Sequence, residues 1–190
     1  MAFRRSRSTK VYDAESLYEY AVGALGRKMR TVAELKRLMR ERVRLQDNGN
    51  ELMEAVVERL KQQRYLNDTQ YATIYSRYRQ ENEKFGRIRV AQDLKIKGVH
   101  PDVIEKTVGE AYSVVVEEDL ARRFLQKKRT KKPKDQKETA RVFRLLVRAG
   151  FSSRTIIKLL KSWDVEDETL SALEQERADA EVSARAESDE

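Results

Sequence analysis

The sequence predicts an all-α fold, an elongated array of three tandem three-helix repeats. Three observations carry that expectation. Apolar residues recur at three- and four-residue spacing along most of the chain, and no run alternates with period two. The 190 residues include only 2 Pro and 7 Gly, too few for a loop-rich β sandwich or barrel. A stretch beginning at Ala91 returns at Phe143, a shift of 52 residues.

The elements follow in order. Leu17, Ala21, Ala24 and Leu25 predict a helix over 14–27. Thr31 and Glu34 form a capping box that opens a second over 32–45, with Leu35, Leu38, Met39 and Val43 on its apolar face. Leu52, Val56 and Leu60 predict a third over 50–63. Asp68 precedes a fourth over 68–83, and segments 87–97 and 101–114 complete a second group. Segments 116–130, 135–148 and 153–162, the last preceded by the capping residue Ser152, complete a third.

The internal repeat gives the grouping its physical content. AQDLKIKGV (91–99) aligns with FRLLVRAGF (143–151), matching Val90 to Val142, Leu94 to Leu146, Gly98 to Gly150, Ile104 to Ile156 and Val108 to Leu160. With each Gly as the left-handed residue after a helix, Leu94 and Val99 become the pair that touch in a Schellman turn, as do Leu146 and Phe151. A weaker copy, LKRLMRERV (35–43), has Arg42 at the Gly position and then a longer turn around Asn48-Gly49-Asn50. The expected organisation is a basic disordered arm over 1–13 and repeats over 14–66, 67–115 and 116–163. An acidic tail over 164–190, helical or disordered, ends the chain. Repeats of this kind bury their apolar faces partly against neighbours.

Charge divides the chain sharply. With 40 Lys plus Arg against 32 Asp plus Glu the net charge is +8, but residues 1–163 carry +17 and residues 164–190 carry −9. The opening MAFRRSRSTK is basic without an apolar stretch after it, so a secretory signal is not expected. No apolar run approaches the ~20 residues of a membrane-spanning helix, and the absence of Cys fits a cytoplasmic protein.

Catalytic signals are poor. There is no Cys for a thiolate and a single His, His100, which precedes Pro101 and suits a helix cap better than a general base. No phosphate-cradling Gly loop is present, and the carboxylates alternate with Lys and Arg as solvated helix faces do. No enzyme, cofactor or metal is expected. The basic residues are the candidates. Arg77, Arg79, Lys84, Arg87 and Arg89 surround one turn, with Lys95 and Lys97 following. Arg122, Arg123, Lys127, Lys128, Arg129, Lys131 and Lys132 form a second group, within a thirteen-residue stretch free of acids. Such clusters suit a phosphate backbone, through salt-dependent contacts that read no base. On this basis, reversing Arg87 and Arg89 to Glu should weaken binding and leave folding alone. Tyr71, Tyr75 and Tyr78, with Ile74, lie at helical spacing: core by pattern, with Tyr78 the candidate to stay outside. Asp93 and Lys97 fall where a DNA-reading helix-turn-helix buries apolar side chains, which weakens a repressor reading.

The run from Arg64 to Val108 resembles the central part of the RecX family, bacterial regulators of the RecA recombinase. The features that match are Tyr65-Leu66-Asn67-Asp68, the aromatic Tyr71, Gly86-Arg87 with Ile88 and Arg89, and the Leu94–Gly98 segment closing on Val99. Residues 21–45 and 116–163 resemble the family's first and third repeats. Two departures stand out: Arg64 where the family commonly has Gly, and Asn67 where it has Asp. The resemblance implies a protein without catalysis that lies in the groove of the RecA–single-stranded DNA filament. There it would lower ATP hydrolysis, strand exchange and coprotease activity, acting as a monomer with weaker direct DNA binding. The alternative from composition alone is a sequence-nonspecific DNA-binding helical protein that acts without RecA.

Overall fold

The computed structural model describes residues 11–186. Among them are ten α-helices, one π-helical turn and no strand: α1 (Ala14–Arg27), α2 (Val32–Val43), α3 (Gly49–Gln62), α4 (Asp68–Tyr78), the π turn (Arg79–Glu83), α5 (Arg87–Ile96), α6 (Pro101–Tyr112), α7 (Glu117–Lys127), α8 (Gln136–Arg148), α9 (Ser153–Lys161) and α10 (Asp167–Ala186). The nine expected helices are all present, with the fourth interrupted at Tyr78. The basic arm lies outside the described residues up to position 10. Its last residues are held in place: Tyr12 and Gln46 exchange two hydrogen bonds of 2.8 Å, and Asp13 caps α1.

The described chain forms two compact units. The first runs through Ala72 and includes Leu94–Val103; the second contains Thr73–Asp93 and continues from Ile104. The helices of the middle group, α4 to α6, each contribute to both.

In the first unit α1, α2 and α3 close around Leu17, Ala21, Leu35, Met39, Met53 and Leu60, all essentially without exposure. Thr31 and Glu34 form the expected capping box. The Thr31 hydroxyl also donates to the Lys97 carbonyl at 2.7 Å, which ties the end of α5 to the start of α2. The cap of α4 is Asn67, whose side chain accepts the Gln70 N–H at 2.9 Å, so the departure from Asp at this position keeps its function. Asp68 instead accepts the Val32 N–H at 2.9 Å.

In the second unit α7, α8 and α9 enclose Phe124, Phe143, Leu146, Phe151, Ile156 and Leu159. The start of α5 docks on the end of α8 through backbone alone. The Gly86 N–H donates to the Ala149 carbonyl at 2.8 Å and the Ile88 N–H to the Gly150 carbonyl at 3.2 Å. A Cβ on Gly86 would lie 2.2 Å from the Gly150 oxygen, so only glycine permits this approach. The acidic segment differs from its composition. Leu170 of α10 is 1% exposed against the core, and Asp167 and Glu176 pair with Lys161 and Arg144 at 2.8 and 3.4 Å. A few apolar residues at the right spacing suffice to dock an otherwise polar helix.

The aligned repeat is reproduced in backbone detail. Val99 N–H reaches the Leu94 carbonyl and Gly98 N–H the Lys95 carbonyl; Phe151 reaches Leu146 and Gly150 reaches Val147. These are the two bonds of a Schellman turn, with Gly98 at φ +76 and Gly150 at φ +87. All eight apolar residues matched by the 52-residue shift are buried.

The same turn recurs where no Gly is present. Tyr65 N–H reaches the Leu60 carbonyl and Arg64 N–H the Lys61 carbonyl, with Arg64 at φ 59. Arg129, at φ 52, and Asp164, at φ 58, close α7 and α9 likewise. A side chain in this region costs about 1 kcal/mol relative to glycine. Arg64→Gly is therefore expected to stabilise the chain by about 0.5–1 kcal/mol, the gain reduced by the greater freedom of Gly in the unfolded chain. Urea unfolding measures this, and an unchanged or lowered midpoint would contradict the strain.

Candidate nucleic-acid interface

The first basic cluster is built on the break in the fourth helix. At Tyr78 the chain widens into the π turn, which ends at Lys84 in the left-handed region (φ 60). The Lys84 ammonium caps the turn's own Glu81 carbonyl. The wider turn brings Arg79 inward, over the rings of Tyr75 and Phe85 at 5.0 and 5.5 Å and 3.9 Å from Asp93. Arg89 reaches the same carboxylate at 3.0 Å, and the Tyr75 hydroxyl donates to it at 3.0 Å. Asp93 is 12% exposed, accepts from the Tyr75 hydroxyl and pairs ionically with both arginines. Burial pushes the Tyr75 phenol above its ordinary value, and the Asp93 carboxylate adds to the shift while Arg79 opposes it. Burial works against the Arg79 charge, but Tyr75 and Asp93 outweigh it and hold the guanidinium more firmly protonated.

The structure therefore separates the candidates of this cluster. Arg79 and Arg89 both pair with Asp93, Arg89 while 44% exposed, so reversing Arg89 to Glu would set two carboxylates side by side and is expected to lower stability, contrary to the expectation from sequence. Arg77 and Arg87 are exposed, and neither makes an ion pair or hydrogen bond through its side chain. Of the two Lys that follow, Lys95 is exposed and unpaired, whereas Lys97 pairs with Glu34 at 2.9 Å beside the Tyr71 ring. Burial raises the Glu34 carboxyl, but the bond to Lys97, the Thr31 N–H and nearby Lys charges bring it below its ordinary value. The partner shift agrees: burial opposes the Lys97 charge, yet Glu34 and Tyr71 raise it. Lys97 is a structural tie of the first unit.

The second cluster lies on the end of α7 and the loop to α8. Lys127 joins it to the first, donating to the Asn82 carbonyl at 2.7 Å and to Glu83 at 3.2 Å. Arg122 pairs with Asp119 at 3.0 Å on its own helix, and Lys132 with Asp164 at 2.6 Å. Both pairs are exposed, so solvent screens them and either cation is available to another anion. Lys128 lies over the Phe124 ring at 5.8 Å. Arg123, Arg129 and Lys131 are exposed and make no side-chain ion pair or hydrogen bond. Beside them the loop and α8 enclose a cleft of 480 Å³, whose lining adds Arg141 and Arg148. Sequence reasoning missed these two. The available signal was their spacing of seven, which puts both on one face of α8.

Tyr71 is buried, Tyr75 half-buried and Tyr78 54% exposed, as the stripe predicts, but Ile74, expected in the core with them, is exposed. His100 accepts the Asp102 N–H at 3.4 Å at the start of α6, the capping role that its place before Pro101 suggests.

Helices closed by Schellman turns, with unpaired cations on exposed faces, define a helical protein with cationic surfaces on its folded units. A family model described as RecX, second three-helix domain, matches residues 67–108. The regulatory protein RecX of Myxococcus xanthus is 32% identical over 155 residues, which cover 75% of this chain and 82% of that protein. That of Deinococcus radiodurans is 30% identical over 154 residues, covering 80% and 70%. The chain belongs to the RecX family. The crystal structure of RecX from Lactobacillus salivarius shares the fold, with a TM-score of 0.63 at 19% identity over 80% of this chain and 96% of that one.

Proposed function

We propose that this chain is a regulator of RecA that lies along the RecA–single-stranded DNA filament and lowers its ATP hydrolysis, strand exchange and coprotease activity. It has no catalysis or cofactor of its own and works in the cytoplasm as a monomer. No helix among the described residues is long and apolar enough to cross a membrane. The observation that carries the reading is the set of exposed cations left without internal partners, Arg77, Arg87 and Arg123 among them, on a chain whose relatives are named regulatory proteins. Unpaired cations on a folded surface favour an anionic lattice, and several contacts along one filament multiply weak individual affinities.

The test follows RecA ATP hydrolysis on single-stranded DNA as the protein is added. Inhibition is expected, and Arg87→Glu with Arg123→Glu should raise the concentration required, more at low salt than at high salt. Arg87 opens α5, where a carboxylate suits the helix dipole, so folding should be preserved. No inhibition by the unmodified protein up to saturation would overturn the reading. Equal affinity for bare and RecA-coated DNA would favour a DNA-binding protein that acts without RecA.

A further inference from the structure

The cleft between the α7–α8 loop and α8 is strongly cationic. Five cationic side chains line it, Lys128, Arg129, Lys131, Arg141 and Arg148, against one carboxylate, Glu138. That carboxylate is already engaged, accepting the Lys134 N–H at 2.9 Å. Arg129, Lys131, Arg141 and Arg148 have no ion pair or side-chain hydrogen bond of their own. Like charges gathered without a counter-ion repel one another, and an anion entering the cleft removes that repulsion. The same lining includes the apolar side chains of Val142, Leu145 and Pro133. Cationic and apolar side chains around one cleft of 480 Å³ suit a ligand with one charged and one flat apolar part.

Two further features narrow the ligand. Arg141 and Arg148 stand two turns apart on α8, so their stems begin about 10.5 Å from each other. Long flexible side chains rooted that far apart can hold two different phosphates of one strand. Every base presents an apolar face, so a base seated against apolar side chains and held through its phosphates is recognised with little regard to sequence.

We propose that this cleft seats one nucleotide unit of single-stranded nucleic acid, its flanking phosphates held by Arg141 and Arg148 and its base laid on Leu145 and Pro133. The inference deepens the proposed contact with the filament's DNA, and rests on that reading only for its setting.

The test uses the intact protein and a fluorescein-labelled twelve-nucleotide oligothymidylate, followed by anisotropy at several salt concentrations without RecA. Arg141→Ala with Arg148→Ala is expected to weaken binding about tenfold and to reduce the salt slope by about 1.4, two single-strand contacts' worth. Both sites are exposed helix positions where Ala is well tolerated, and a melting curve verifies the fold. Arg129→Gly should weaken binding yet raise the unfolding midpoint, because it removes a cation and relieves a left-handed side chain at φ 52. Loss through misfolding cannot produce that opposition.

Affinity of the double variant within twofold of the unmodified protein would overturn the proposal. Competition by thymidine monophosphate at concentrations equal to oligonucleotide sites would overturn its strand part in favour of a free nucleotide. Competition by inorganic phosphate alone at those concentrations would overturn the role of the apolar side chains. RecA ATP hydrolysis is measured in parallel. An unmodified protein that fails to inhibit RecA while the cleft effects hold sinks only the filament reading. Inhibition retained alongside unchanged oligonucleotide binding sinks only the cleft.

Discussion

Gly150→Ala is expected to destabilise the second unit by about 2–5 kcal/mol. Gly150 sits at φ +87, where a side chain costs about 1–2 kcal/mol on backbone grounds alone. Its Cβ would lie 2.2 Å from the Arg89 nitrogen and 2.8 Å from the Arg89 Cα, atoms of a backbone that no rotamer change can move aside. Relieving the overlap means pulling α5 away from α8. That breaks the hydrogen bonds from Gly86 and Ile88, each worth about 0.5–1.5 kcal/mol. Gly109→Ala is the matching control. Gly109 lies within α6 with open space around its Cα, so Ala there should stabilise by about 0.5–1 kcal/mol. Denaturant unfolding of the two variants side by side decides the matter. Equal, small effects would mean that the close approach of Gly86 and Gly150 is absent.

Asp93→Ala should cost about 2–3 kcal/mol. Removing the carboxylate leaves the Tyr75 hydroxyl and the guanidinium groups of Arg79 and Arg89 without their shared acceptor. Breaking a fully buried pair costs about 3–5 kcal/mol, but Arg89 is 44% exposed and water takes up part of its loss. Asp93→Asn keeps an acceptor for Tyr75 and surrenders the charge, so it should fall between the parent and the Ala variant. If Asn and Ala prove equally harmful, the hydrogen bond from Tyr75 contributes nothing and the attraction is purely ionic. If neither changes stability, the three groups do not depend on Asp93.

The legible part of this fold is the part written in short-range spacing. Leu94, Gly98 and Val99 specify a helix stop within six residues, and the second copy at Leu146, Gly150 and Phe151 confirms the register. The Thr31–Glu34 capping box belongs to the same category. The stop at Arg64 was not legible, because nothing about an arginine announces a left-handed backbone. Its turn exists because Leu60 and Leu66 are both buried and hold the chain to that path. The π turn was hidden for a similar reason: Arg79–Glu83 continues a helical pattern, and only Asp93 and the rings of Tyr75 and Phe85 explain why Arg79 turns inward.

The candidate site divides in the same way. Cationic richness was readable from composition; commitment was not, since Lys97 meets Glu34 from 63 residues away and Lys127 meets Glu83 from 44. Arg141 and Arg148 were overlooked because they enter a cleft only when the loop after α7 folds beside α8.

The glycine contact also orders the birth of the molecule. Gly86 and Ile88 leave the ribosome with their amide protons unclaimed, and the carbonyls they require belong to residues 149 and 150. At bacterial synthesis rates that interval is on the order of several seconds, far longer than a helix needs to form. The middle of the chain must therefore wait, partly open, for α8 to be made.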